Sequence, residues 1–154
     1  RFRARLRWRA FQAREASSPS GFRRCSDMDA REATCLIVDD EPDTCWALEH
    51  ILRRRAMRCE RALTAAAALD QMRRRSFCLA FLDVKLPDLD GLELARQIHA
   101  IDPALPIIVV SGYFYKHDAT IQQAQAEGLI RAFIGKPFLH DELLCAVERA
   151  LLGR

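Results

Sequence analysis

Five short segments along the chain have the character of strands, the second of them only weakly, and each is followed by a segment whose apolar positions recur at helical spacing. Runs without polar alternation are typical of strands that are covered on both faces, as in a parallel sheet. Five strands that alternate with five helices predict an α/β domain with one parallel sheet and helices on both faces. The predicted strands are 35–38, 57–62, 79–82, 106–110 and 130–134, and the predicted helices are 43–55, 65–75, 91–100, 118–127 and 141–152.

Residues at the predicted helix ends support this alternation. Pro42 suits the first turn of the first helix, and Thr64 is a candidate N-cap for the second. Asp102 and Pro103 end the third helix, and Gly128 is placed to end the fourth.

The first 27 residues differ in composition from the rest. They alternate arginine with apolar residues and then become rich in Ser, Pro and Gly, so we expect a disordered or non-native leader and a single domain over residues 28–154. Met28 is compatible with a misassigned start or added sequence. A disordered basic arm that binds nucleic acid or an acidic partner, and an organelle transit peptide, are the alternatives.

The net charge of +3 conceals an uneven distribution. Residues 1–27 contain eight arginines and two acids, whereas the remainder has 16 basic and 19 acidic residues. The body of the chain therefore gives no electrostatic reason to expect nucleic-acid binding.

The hydrophobic runs are all too short for a membrane protein. None approaches the roughly 18 residues that a bilayer span needs, and none has the layout of a secretory signal, so we expect a cytoplasmic domain. The six cysteines include no C-x-x-C pair, and most lie in apolar segments, where a reduced thiol packs as a small hydrophobe.

Polar residues collect where the predicted strands end. Because the carboxyl ends of parallel strands share one edge of a sheet, this edge would hold Asp39 and Asp40, Asp83, Ser111, and Lys136. Three carboxylates in close quarters repel one another unless a cation neutralises them, and hard oxygen ligands suit Mg²⁺. A metal, a carboxylate nucleophile, an ammonium and a hydroxyl together indicate a site for phosphoryl transfer.

Each of these residues also has an ordinary structural explanation. The aspartates could cap turns or the first helix, Ser111 could be a turn hydroxyl, and Lys136 could be a solvated loop charge. Their joint occurrence at strand ends favours the functional interpretation.

At this level of detail the chain resembles the receiver domain of response regulators from bacterial two-component signalling systems. The resemblance covers about residues 35–152 and rests on four motifs in a specific order. They are LIVDDEPD, FLDVKLPDLDGLEL, IIVVSG and FIGKPF. It implies a flavodoxin-like (βα)5 sheet with strand order 2-1-3-4-5.

The resemblance also implies a role for each matching residue. Asp83 would accept the phosphoryl group, and Ser111 and Phe133 would form the switch that follows phosphorylation. Lys136 and Ser111 would bind the phosphoryl oxygens. Mg²⁺, or Mn²⁺ in its place, would be held by Asp40, Asp83 and the backbone carbonyl of Lys85, with Asp39 acting through a water molecule.

The implied partners are a sensor histidine kinase or phosphotransfer protein and either a downstream protein or an output domain. Phosphorylation-dependent homodimerisation is a further expectation. Such a module is not an enzyme in the usual sense, because it catalyses only its own phosphorylation and dephosphorylation. Two other functions stay open: a pseudo-receiver that binds partners without phosphorylation, and an aspartate-dependent phosphohydrolase. The latter typically has a second Asp two residues after the nucleophile, where this chain has Lys85.

Two features depart from the family pattern. The chain between Ser111 and Lys136 is a few residues longer than expected, with the excess in residues 113–117 and just after Gly128, so the fourth helix could be shifted. Lys85 and Tyr113 place bulky side chains beside the expected pocket, which predicts an altered rate of dephosphorylation.

Overall fold

The structure is a computed structural model that describes residues 33–112 and 118–152, and it contains one five-stranded parallel sheet with helices on both faces. The strand order is β2-β1-β3-β4-β5, which confirms the expected flavodoxin-like topology. The strands are β1 (Thr34–Val38), β2 (Arg58–Ala62), β3 (Leu79–Leu82), β4 (Ile107–Ser111) and β5 (Ala132–Gly135). The helices are α1 (Pro42–Arg53), α2 (Ala65–Arg74), α3 (Gly91–Ile101), α4 (Ala119–Ala126) and α5 (His140–Leu152).

Most predicted boundaries agree with the structure to within one or two residues. The largest shifts are at the start of β5, which is Ala132 and not Ile130, and at the end of α1, which is Arg53 and not Arg55. The backbone amides of Leu129 and Ile130 both donate to the carbonyl of Ala124, at 3.0 and 3.3 Å. These residues complete the end of α4 and are buried without belonging to the sheet.

The predicted helix-end signals are confirmed. Thr64 accepts a hydrogen bond from the amide of Ala67 at 3.1 Å, as an N-cap does. Gly128 follows α4 with a positive φ of 75°, a conformation that glycine adopts without the strain of a Cβ. Asp118 caps the start of α4, so this helix is short but regular.

The sheet separates two hydrophobic cores. One core packs under α2, α3 and α4, and its sheet residues include Leu36, Ala80 and Val109. The other core packs under α1 and α5, and its sheet residues include Ile37 and Phe81. Alternate residues of β1, β3, β4 and β5 enter opposite cores, which explains why these strands are mainly apolar in the sequence, whereas the edge strand β2 is partly exposed.

Three of the cysteines lie in the second core. Cys35, Cys45 and Cys78 are buried there, as the apolar setting of these residues predicted. Cys59, on the edge strand, is partly buried, and burial raises the pKa of its thiol to about 12. Burial also raises the pKa of the Cys45 thiol, so the thiols of Cys45 and Cys59 are protonated at neutral pH.

The segment 1–27 and the predicted start at Met28 lie outside the described residues. Among the residues that the structure describes, no helix is both long enough and apolar enough to cross a membrane.

Candidate functional site

The carboxyl edge of the sheet brings together the polar residues that the sequence singled out. Backbone hydrogen bonds fix the register of these residues along the sheet edge. The amide of Asp83 donates to the carbonyl of Val38 at 2.9 Å, and the amide of Lys136 donates to the carbonyl of Ser111 at 3.1 Å. Asp39 is likewise held by a 3.1 Å bond from its amide to Ala62. Residues from β1, β3, β4 and β5 thus converge through regular parallel pairing.

Lys136 lies between two buried carboxylates. Its Nζ is 2.7 Å from Oδ2 of Asp39 and 3.2 Å from Oδ2 of Asp83. The exposed fractions of Asp39 and Asp83 are only 2% and 5%. Lys136 is 97 positions from Asp39 and 53 positions from Asp83 in the chain, yet the three residues form one charged cluster.

The electrostatics of this cluster follow from its burial. Burial raises the pKa of Asp39, and the hydrogen bond from Lys136 only partly opposes that effect. Burial also tends to lower the pKa of Lys136, but the hydrogen bond to Asp39 and the negative charges of Asp39 and Asp83 outweigh it, so the pKa is raised. Lys136 is consequently cationic throughout the physiological range.

Asp39 also has a structural role. Its Oδ1 accepts a 2.9 Å hydrogen bond from the amide of Glu41, just before α1 begins. One oxygen therefore orders the turn into α1 while the other binds Lys136. The structural interpretation of this residue is therefore correct, and its role in metal binding stays a prediction.

A second group of carboxylates lies at the start of α1. Oxygens of Asp39, Asp40 and Glu41 approach within 4.8 Å of one another, and Asp40 and Glu41 are exposed. Clustered hard oxygen donors in partial number fit a divalent cation such as Mg²⁺, which retains several waters. Asp83, which the sequence also predicts as a metal ligand, does not belong to this group, and its Oδ2 lies 3.2 Å from Nζ of Lys136.

The loop after β3 is tightly closed behind Asp83. The amide of Gly91 donates to the carbonyl of Val84 at 2.7 Å, and Lys85 pairs with Asp90 in an antiparallel bridge. The amide of Lys85 is 3.4 Å from Oδ1 of Asp83, and the Lys85 side chain is exposed. This geometry directs the Lys85 side chain to solvent.

The two residues of the expected switch are both buried. Ser111 is the last residue of β4 and is fully buried. Phe133 lies in β5, beside Val109 in the strand register, and its side chain belongs to the core under α2, α3 and α4. The lengthened segment before α4 leaves this placement intact, whereas Tyr113 falls outside the described residues.

A surface cavity of about 610 Å³ opens onto Asp83 and Lys136. Its walls come from the first turns of α1 and from the segment between β5 and α5, and they include Ala47, Gly112 and Phe138. The acidic cluster is therefore accessible from one side, although Asp39 and Asp83 are themselves buried.

Two residues in or near the site were missed in the sequence. The position of Glu41 in the sequence indicates only the residue before a helix, yet its carboxylate lies with those of Asp39 and Asp40. Asp88 lies in the loop after β3 and accepts hydrogen bonds from the start of α2. The run of acids at 39–41 is a usable signal for Glu41, whereas no local pattern signals the contact of Asp88.

Comparisons with known proteins agree with this geometry. The chain is 32% identical over 116 residues to the transcriptional regulatory protein ZraR of Escherichia coli O157:H7, covering 75% of this chain and 26% of ZraR. It is 28% identical over 145 residues to the response regulator protein TodT of Pseudomonas putida F1, covering 94% of this chain and 61% of TodT. The chain thus spans about a quarter of ZraR and about three fifths of TodT.

A solved structure shares the fold over its whole length. The CheY-like response regulator receiver domain from Methanospirillum hungatei JF-1 superposes with a TM-score of 0.72 at 30% identity, covering 79% of this chain and 95% of that one. The family model of the response regulator receiver domain matches residues 35–148, and these include all the polar residues at the sheet edge described above. The chain therefore belongs to the response regulator receiver domain family, whose members are phosphorylation-dependent signalling modules.

Proposed function

We propose that Asp83 accepts a phosphoryl group from a phosphohistidine on a sensor histidine kinase or phosphotransfer protein. The observation that carries this proposal is the ion-paired cluster, in which Lys136 bridges Asp83 and Asp39 beside an open cavity. An Asp83 oxygen would form the new P–O bond as the P–N bond breaks, and the histidine nitrogen would keep the electron pair of that bond.

Lys136 and a divalent cation would share the neutralisation of charge. The candidate ligands are Asp40, Asp83 and the backbone carbonyl of Lys85, with Asp39 acting through water, and Glu41 is a further carboxylate at the same place. Mg²⁺, or Mn²⁺ in its place, would neutralise charge on the transferring phosphoryl oxygens. Lys136 would bind the phosphoryl oxygens once the group is attached to Asp83.

The response to phosphorylation would pass through Ser111 and Phe133. A new dianion on Asp83 offers strong acceptors for the Ser111 hydroxyl. Because Ser111 and Phe133 lie on paired strands, a shift of the first would open space for a new rotamer of the second. The surface formed by α4, β5 and α5 would then differ between the two states.

The proposed mechanism requires two kinds of partner. A sensor kinase or phosphotransfer protein would donate the phosphoryl group. A downstream protein or an output domain would bind the altered surface, and so would a second copy of the chain in a phosphorylation-dependent homodimer. The module would act in the cytoplasm and would catalyse only its own phosphorylation and dephosphorylation. The bulky Lys85 would alter the lifetime of the acyl phosphate.

The test is incubation of the protein with Mg²⁺ and acetyl phosphate, followed by intact mass measurement. We expect one added phosphoryl group on the wild type and none on Asp83→Asn. Asp70→Asn, which removes an exposed carboxylate on α2, is the matched control and should label like the wild type. A folded wild-type protein that takes up no phosphoryl group would overturn the proposal in favour of a pseudo-receiver.

A further inference from the structure

Asp88 joins two parts of the chain that are distant in sequence. Its Oδ1 and Oδ2 accept hydrogen bonds from the amides of Ala65 and Ala66, both at 2.9 Å. These amides belong to the first turn of α2, where backbone donors have no partner within the helix. The tip of the loop after β3 is therefore bound to the start of α2.

The remainder of this loop is restrained at its base and along its length. The bond from Gly91 to Val84 and the bridge between Lys85 and Asp90 close the base. Leu86 and Leu89 pack against the core under α2 and α3. Pro87 and Asp88 are the exposed residues between these two leucines, and Asp88 adds a charged attachment at the tip.

We propose that Asp88 is a positioning residue for the phosphoryl-transfer site, which holds the loop after β3 so that the backbone carbonyl of Lys85 and the carboxylate of Asp83 keep a fixed relative position. This inference rests on the proposed function, in which both groups hold the metal. Asp88 would act through the loop, and it would contact neither the metal nor the phosphoryl group.

Asp88 binds two first-turn amides of α2 that the N-cap of this helix does not bind, and it does so from a separate loop. Thr64 already caps α2 by accepting from Ala67, so the helix has an N-cap of its own. The two amides that bind Asp88 lower the pKa of its carboxyl group, so the charged form is the one that the fold holds. An exposed carboxylate would not stay on a neighbouring helix without these two bonds.

The experiment compares Asp88→Ala with Thr64→Ala in two measurements. Both variants remove acceptors from the first turn of α2, but only the first releases the loop. In metal-free protein, hydrogen exchange at the amide of Gly91 reports on loop closure, and we expect it to accelerate in Asp88→Ala alone. Titration calorimetry should then show Mg²⁺ affinity reduced on the order of tenfold in Asp88→Ala and little changed in Thr64→Ala.

Asp88→Asn serves as the conservative variant. Its amide oxygen can still accept one of the two hydrogen bonds, so we expect it to recover part of the Mg²⁺ affinity. Equal exchange and equal affinity in Asp88→Ala and Thr64→Ala would overturn the inference, and so would a loosened loop that leaves Mg²⁺ binding unchanged. If the wild type bound no Mg²⁺ and accepted no phosphoryl group, the proposed function would fail, and the exchange measurement alone would decide whether Asp88 holds the loop.

Discussion

Replacing Gly91 with alanine is expected to destabilise the domain by about 3 kcal/mol and to slow phosphorylation of Asp83, because the added methyl group has no room. A Cβ at Gly91 would lie 2.0 Å from the carbonyl oxygen of Asp83 and 2.7 Å from Cα of Val84. Both are backbone atoms, so neither can move aside as a flexible side chain could. The backbone that bears Asp83, the proposed phosphoacceptor, must shift instead.

Gly135→Ala is the matched control for this variant. It adds the same methyl group directly before Lys136, where a Cβ would meet nothing within 4 Å. Urea unfolding should show a large loss for Gly91→Ala and a change within about 0.5 kcal/mol for Gly135→Ala. Similar losses in the two variants would show that the close approach of α3 to Asp83 does not carry the effect.

The fold was predictable because each level of the sequence pointed to the same arrangement. Uninterrupted apolar runs at 35–38 and 79–82 mark strands covered on both faces, and parallel pairing then brings Asp39 and Asp83 to one edge. The ion pairs of Lys136 with both carboxylates follow from that topology. The motif resemblance supplied the strand order, which periodicity alone does not determine.

The features that could not be predicted depend on contacts that no short sequence pattern indicates. The segment from Ile130 to Ile134 is apolar except for Arg131, and the hydrogen bonds to Ala124 show that its first residue completes the end of α4. Asp88 lies 22 and 23 residues from the amides that it binds, so no helical or strand spacing indicates that contact. Three-dimensional packing, rather than propensity, decides both cases.

Lys136→Met is expected to destabilise the metal-free protein by about 3 kcal/mol at pH 7, since it removes the cation between two buried carboxylates. The Lys136 side chain is only 16% exposed, and methionine retains much of its apolar length, so the lost charge dominates the effect. Asp39 and Asp83 would then face each other without their bridging partner. If the proposed site binds Mg²⁺, excess Mg²⁺ should restore part of the stability, because it would neutralise carboxylates at the same place.

The pH dependence of this loss follows from two raised pKa values. The pKa of Asp39 in the folded protein lies above its ordinary value of 3.8, so the folded state binds more protons there and the contribution of Asp39 to stability falls as pH rises above that value. Without Lys136 the pKa of Asp39 should rise further. The difference in the free energy of unfolding between Lys136→Met and the wild type should therefore be largest near neutral pH and shrink towards pH 4. The pKa of Lys136 in the folded protein is raised above its ordinary value of 10.5. Lys136 therefore stabilises the wild type until the pH rises through its pKa in the folded protein.

Urea unfolding at pH 7 and at about pH 4.5 measures this difference, because the second value approaches the ordinary range for Asp39. Lys85→Met is the control, since it removes the same charge from an exposed side chain in the loop after β3. It should change stability by no more than about 0.5 kcal/mol at either pH. A Lys136→Met deficit that stayed constant between the two pH values would mean that lost packing is responsible. In that case the ion pairs with Asp39 and Asp83 would add little to stability, and Lys136 would serve the site mainly by holding its charge ready for the phosphoryl group.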